Sequence, residues 1–150
     1  MVEPEFTEVE EMSAFVRQAT CDHNDLAQEI GRLFGEIAAA HPNVDMIGPP
    51  RLYYTRWDVA DCDIEAACPV DRGTSDTKTF PATQAIFTTH TGEYEGLADA
   101  WMSLWSYVQA KGLTTTGMCW DEYVVGPEHK PNPSDWVTEL YIAVAVPKLS

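Results

Sequence analysis

Positive charge is scarce in this chain. Nine Lys and Arg stand against 24 Asp and Glu in 150 residues, a formal net charge of -15. Such a surface repels a phosphate backbone. No Lys/Arg cluster reverses the sign locally, so direct nucleic-acid binding is not expected. Long apolar runs are also missing. No stretch approaches the ~20 residues that cross a bilayer, so no membrane partner is expected. Met1 to Glu11 is acidic and lacks the basic-then-apolar order of a secretory signal. Cytoplasmic residence is the expectation.

Cysteine is sparse too. Cys21, Cys62, Cys68 and Cys119 form no CxxC, and no HxxxH pair accompanies them, which argues against zinc. They read as reduced, buried, small apolar side chains. GxSxG, P-loop and GxGxxG motifs are absent. Neither a metal nor a cofactor is expected.

What is present suffices for a compact domain with a core: 45% hydrophobic residues and 22% charged. Residues 1–12 read as an acidic N-terminal tail or edge segment, and residues 13–150 as the domain. A strand is expected over Ala14–Ala19, and Asp22 or Asn24 as a helix N-cap. Leu26, Ile30, Leu33, Phe34 and Ile37 then recur at helical spacing. Pro42 ends that helix at His41. Strands are expected at Arg51–Trp57, Cys62–Val70, Lys78–His90, Thr116–Val125 and Trp136–Val146. Between the third and fourth of these, Leu97, Trp101, Leu104, Trp105 and Val108 mark a second helix, stopped at Lys111-Gly112.

The two helices carry one pattern. A shift of about 71 positions carries Leu26, Ile30, Leu33, Phe34 and Ile37 onto Leu97, Trp101, Leu104, Trp105 and Val108. A shift of about 74 carries Glu65 onto Glu139, and about 69 carries Tyr54 onto Tyr123. The order strand, helix, strand, strand recurs in halves at about 13–72 and 77–147. The expected fold is α+β: a duplicated β-α-β-β module with pseudo-twofold symmetry, antiparallel sheets and a ligand cleft between the halves.

The last strand singles out one residue. Trp136, Thr138, Leu140, Ile142, Val144 and Val146 make a core face by the two-residue alternation of a strand. The other face has Val137, Glu139, Tyr141, Ala143 and Ala145: one carboxylate among small and aromatic neighbours. A carboxylate in such surroundings is costly. It reads either as the centre of a ligand pocket or as a salt-bridged structural group at a sheet edge. Glu65 has wetter neighbours and reads as structural or rim.

Five Trp and six Tyr exceed what this core needs. Trp120, Tyr123, Tyr141, Tyr54 and Trp57 fall on strands or strand ends, where they suit the walls of a cleft. Trp101 and Trp105 fall on a helix stripe, where core packing is the ordinary use and a place in the pocket the alternative. His90, at a strand-to-helix junction, is a candidate base or a turn-bonding side chain. Aromatic walls with one carboxylate suit planar, lipophilic, often cationic molecules.

Several stretches have a familiar order. They are Gly48-Pro49-Pro50 before a strand, Asp63-Ile64-Glu65 then Pro69-Val70, Thr89-His90-Thr91-Gly92-Glu93-Tyr94 with Leu97 and Trp101, and Pro133 through Tyr141. Together they resemble the GyrI-like family, the effector-binding domain of multidrug-responsive transcription regulators and of stand-alone gyrase-inhibitory proteins, over about residues 13–146. The resemblance implies paired β-α-β-β modules and a ligand-contacting acid matching Glu139. It also implies an aromatic lining falling on Tyr54, Trp120, Tyr123 and Tyr141. No helix-turn-helix precedes these residues, so a stand-alone binder of amphipathic, planar or cationic small molecules is expected.

Some members resembling this chain hydrolyse strained cyclopropane rings of genotoxic compounds with a glutamate and a nearby aromatic residue. That alternative makes Glu139 the base and Tyr123, Tyr141 or Trp120 the proton donor. A third reading is an acidic protein-interaction inhibitor of DNA gyrase. Any protein partner, regulator or gyrase, is left open.

Overall fold

A computed structural model describes residues 3–145. The described chain divides into two units, Glu10–Pro81 and the remainder. Both are α+β, and every strand pairing within them is antiparallel.

In Glu10–Pro81, strand β2 (Met12–Asp22) leads into helix α1 (Leu26–Ala40), followed by β3 (Arg51–Trp57), β4 (Asp61–Val70) and the short β5 (Lys78–Phe80). Their order across the sheet is β3-β4-β2-β5. The Asp22 carboxylate accepts the Asn24 N–H at 2.9 Å and caps the single 3-10 turn that starts the helix. α1 packs on β2 and β4 and buries Leu33 and Ile37. It ends where His41, the residue before Pro42, leaves helical geometry and stacks on Phe15 at 3.5 Å.

The second unit is built from β1 (Glu5–Val9), β6 (Thr83–Thr91), α2 (Leu97–Ala110), β7 (Thr114–Val125) and β8 (Val137–Ala145). Its strand order is β1-β6-β8-β7. Ala100, Leu104 and Val108 of α2 pack on Ile86, Leu140, Ile142 and Val144. Burying a Leu or Ile side chain contributes roughly 1.5–3 kcal/mol, so these few side chains hold the helix to its sheet. α2 stops at Gly112, whose φ of +65° suits a residue without Cβ.

The acidic segment includes an edge strand, β1, the second of the two readings given for it, paired to β6 with Phe6 opposite Ile86. Two sequence expectations shift. The strand expected over Lys78–His90 is two strands, β5 and β6, interrupted at Pro81, which has no N–H for a ladder. The neighbourhood of Glu65 is dry: Glu65, Ala67 and Pro69 are all buried, and only Asp63 is partly exposed. Val146, expected on the core face of the last strand, lies outside the described residues.

The units share more than element order. In one, Gln18, Glu65 and Tyr53 stand in register across β2, β4 and β3. In the other, Thr89, Glu139 and Glu122 stand in register across β6, β8 and β7. The next rung is Val16, Ala67, Arg51 in the first and Phe87, Tyr141, Trp120 in the second. Sheet order and register are consistent with the repeat.

Candidate functional site

On β8, Leu140, Ile142 and Val144 face α2, so Glu139, Tyr141 and Ala143 face the other way. β7 is aligned to match by an irregularity between Thr115 and Cys119, where it takes four steps while β8 takes two. Gly117, with φ +95°, lies within it. Beyond it, Trp120 and Glu122 stand on the Glu139 side and Asp121 and Tyr123 on the helix side.

The outcome is a row of three rings. Phe87 stacks on Tyr141 at 5.3 Å with 15° between planes, and Trp120 stacks on Tyr141 at 5.0 Å with 4°. Such offset stacks add roughly 0.5–1.5 kcal/mol per pair beyond area burial. The adjacent rung is acidic. The Tyr141 hydroxyl donates to Glu139 Oε1 at 3.2 Å, and the Trp120 indole N–H donates to Glu122 Oε2 at 3.1 Å. Glu122 is buried and Glu139 half-buried. Among the described residues no Lys or Arg forms an ion pair with Glu139.

Glu139, Tyr141 and Trp120, all singled out from sequence, are thus adjacent. The others lie elsewhere. The Trp101 indole donates to buried Asp121 at 2.9 Å on the helix side of the sheet. Tyr123 shares that side: its hydroxyl donates to Asp121 Oδ2 at 3.4 Å, and burial beside that carboxylate holds the phenol well above its ordinary pKa. Trp105 is exposed on α2, in neither the core nor the row of rings. His90 Nε2 lies 2.8 Å from the Glu93 carbonyl, so the histidine ties the turn into α2. Tyr54 and Trp57 belong to the other unit, edge to face at 5.7 Å, with Trp57 stacked on His23 at 4.1 Å. Glu65 is structural in its partners: it accepts from Gln18 Nε2 at 2.7 Å and pairs with Lys78 Nζ at 2.8 Å.

Sequence reasoning missed Glu122 and Phe87. The signal for Glu122 was present, since a residue two along from Trp120 shares its face. Tyr123, three along from Trp120, does not.

The chain belongs to the GyrI-like small molecule binding domain family, whose profile matches residues 2–145. No curated protein matches it. Among solved structures it is similar to the EcmrR C-terminal domain, with 20% identity, a TM-score of 0.81, and coverage of 97% of this chain and 98% of that one. It is similar to SAV2435 bound to tetraphenylphosphonium, at 12% identity and TM-score 0.74, covering 95% of this chain and 94% of that one. A hydrolase from Listeria innocua matches at 15% identity and TM-score 0.54, covering 95% and 92%. No helix among the described residues is long and apolar enough to cross a membrane.

Proposed function

We propose that this small-molecule-binding domain captures planar, lipophilic cations on the Phe87–Tyr141–Trp120 row, with Glu139 as the counter-charge. The observation that carries the reading is the stacked row running, in register, beside a half-buried carboxylate that receives the Tyr141 hydroxyl. Phe87, the partly exposed end of the row, offers apolar area and a negative ring face to a cation, with the buried Tyr141 and Trp120 stacked behind it. The tyrosine hydroxyl stabilises the carboxylate without cancelling its charge. A fixed, partly desolvated anion then recognises a cation more strongly than it would in water. Tetraphenylphosphonium, the cation bound by SAV2435, is lipophilic and positively charged; it is tetrahedral and not planar as a whole, but each phenyl group is a flat ring that can stack, and it serves as the probe.

Titration calorimetry with tetraphenylphosphonium tests it. Glu139→Gln is expected to weaken binding about 10-fold or more, since a pair of unit charges about 6 Å apart in partly desolvated surroundings is worth roughly 2–3 kcal/mol. Its melting temperature without ligand should stay close to that of the parent. Equal affinity in the two proteins overturns the assignment.

A second reading rests on the same contact. With Tyr141 Oη 3.2 Å from Glu139 Oε1, a base and a proton donor are adjacent. Glu139 would take a proton from water as its oxygen attacks a cyclopropane carbon, and Tyr141 would supply the proton to the carbon released by ring opening. A product heavier by one water, formed by the parent and not by Glu139→Gln, marks this reading. Ligand-induced stabilisation without product marks binding alone.

A further inference from the structure

The two equivalent rungs are filled differently. Glu65 occupies in its unit the place that Glu139 occupies in the other. Glu65 is 1% exposed. Lys78 Nζ lies 2.8 Å from its Oε1 and 3.1 Å from its Oε2, and Gln18 Nε2 donates to Oε2 at 2.7 Å. The same ammonium sits 5.0 Å from the centre of the Phe80 ring, which is itself stacked on Tyr53 at 4.4 Å and 4°. A carboxylate, held in place by the Gln18 amide, and an aromatic face therefore converge on one ammonium group.

We propose that Glu65, Gln18 and Phe80 form a second cation site whose resident occupant is the chain's own Lys78, and that this site accepts a small primary alkylammonium once the lysine is removed. The inference goes beyond the function proposed for Glu139 and stands on the geometry of Glu10–Pro81 alone.

Three features define the ligand class. The nitrogen reaches both carboxylate oxygens, so the occupant donates at least two hydrogen bonds, as a primary ammonium does and a quaternary one does not. The cation lies within reach of a ring face, which adds cation–π attraction. The Lys78 side chain is 46% exposed while that of Glu65 is 2% exposed, so the lysine stem marks a path from solvent to the carboxylate. The tether explains why the site is closed in the intact protein. A covalently held lysine competes at an effective concentration of about millimolar or more, so micromolar amines do not displace it.

The test uses the full chain in a Glu139→Gln background, so that the reading given for Glu139 neither helps nor obscures it. Lys78→Ala removes Cγ through Nζ, the atoms that n-propylammonium restores. Melting temperature is followed with millimolar n-propylammonium chloride at constant ionic strength, with tetramethylammonium as the cation that cannot donate. A saturable rise is expected in Lys78→Ala, a much smaller one with tetramethylammonium or when Lys78 is intact, and none when Glu65→Gln is added. The absence of a rise in Lys78→Ala overturns the proposal. So does an equal rise with Lys78 present, or a rise that survives Glu65→Gln. Should Lys78→Ala not fold by itself, return of its native near-ultraviolet circular dichroism on adding n-propylammonium supports the site. Failure to return, while Lys78→Arg folds, overturns it.

Discussion

Trp120 and Tyr141 lie face to face from neighbouring strands, ring centroids 5.0 Å apart and planes 4° apart, and each gives its polar hydrogen to a glutamate on its own strand. The geometry follows from strand periodicity. Residues two apart share a face, so each ring lies beside the carboxylate two residues further along β7 or two residues back along β8. Antiparallel register then sets the rings opposite each other and Glu122 opposite Glu139.

Tyr141→Phe separates stacking from hydrogen bonding. The ring row survives, and Glu139 loses one donor. The expected cost to folding is about 0.5–1.5 kcal/mol, read from urea midpoints. Tetraphenylphosphonium cannot use the lost hydroxyl, so its affinity should stay within about tenfold. Trp120→Leu, which removes the fully buried middle of β7, should lose both stability and binding.

Trp101→Phe tests the two sides of the sheet. Asp121 is buried on the α2 side and accepts the Trp101 indole N–H. Losing that donor should destabilise the protein by about 1–3 kcal/mol, seen as a lower melting temperature. Tetraphenylphosphonium affinity should not change in calorimetry, because the indole is on the face away from Glu139. A loss of affinity without a loss of stability would place Trp101 in the binding site.

Alkaline pH should weaken the fold. Burial pushes the thiols of Cys62, Cys68 and Cys119 up from 9.0 to about 11 and also raises the Tyr123 phenol. These groups are neutral in the folded chain over a range where the unfolded chain has begun to release their protons. The unfolded state therefore binds fewer protons, and stability falls as pH climbs from about 9 through about 11. Urea midpoints should be flat below pH 9 with respect to these groups and drop above it, less steeply in Cys68→Ala.

Salt should distinguish charge from shape. Screening shortens the reach of a half-buried carboxylate, with a Debye length of about 10 Å at 0.1 M and about 3 Å at 1 M. Tetraphenylphosphonium affinity should fall as sodium chloride is raised over that range. Triphenylphosphine oxide, an uncharged ligand of similar shape, should hold or gain affinity. Parallel behaviour of the two ligands would remove the carboxylate from the account.

Much of the fold was legible because its signals are local. The 3.6-residue spacing from Leu97 to Val108 marks a helix wherever that helix ends up, and the alternation in Val137–Ala145 isolates Glu139 without knowledge of its neighbours. The matching order of elements in the two units, with which a repeat is consistent, was legible for the same reason. Pro81 signals a break in Lys78–His90 by its missing N–H, yet only the paired strands show that β5 joins β2 while β6 joins β8.

The amino-acid order alone determined both helices and most of the strands, an element order that recurs along the chain, and one strand that carries a lone acid beside a tyrosine. Tertiary structure decided the company that acid keeps. Glu122 and Phe87 come to Glu139 and Tyr141 through antiparallel register, and Lys78 comes to Glu65 through the packing of a three-residue strand. Periodicity assigns a side chain to a face, but only pairing between distant segments determines which faces meet and in what alignment.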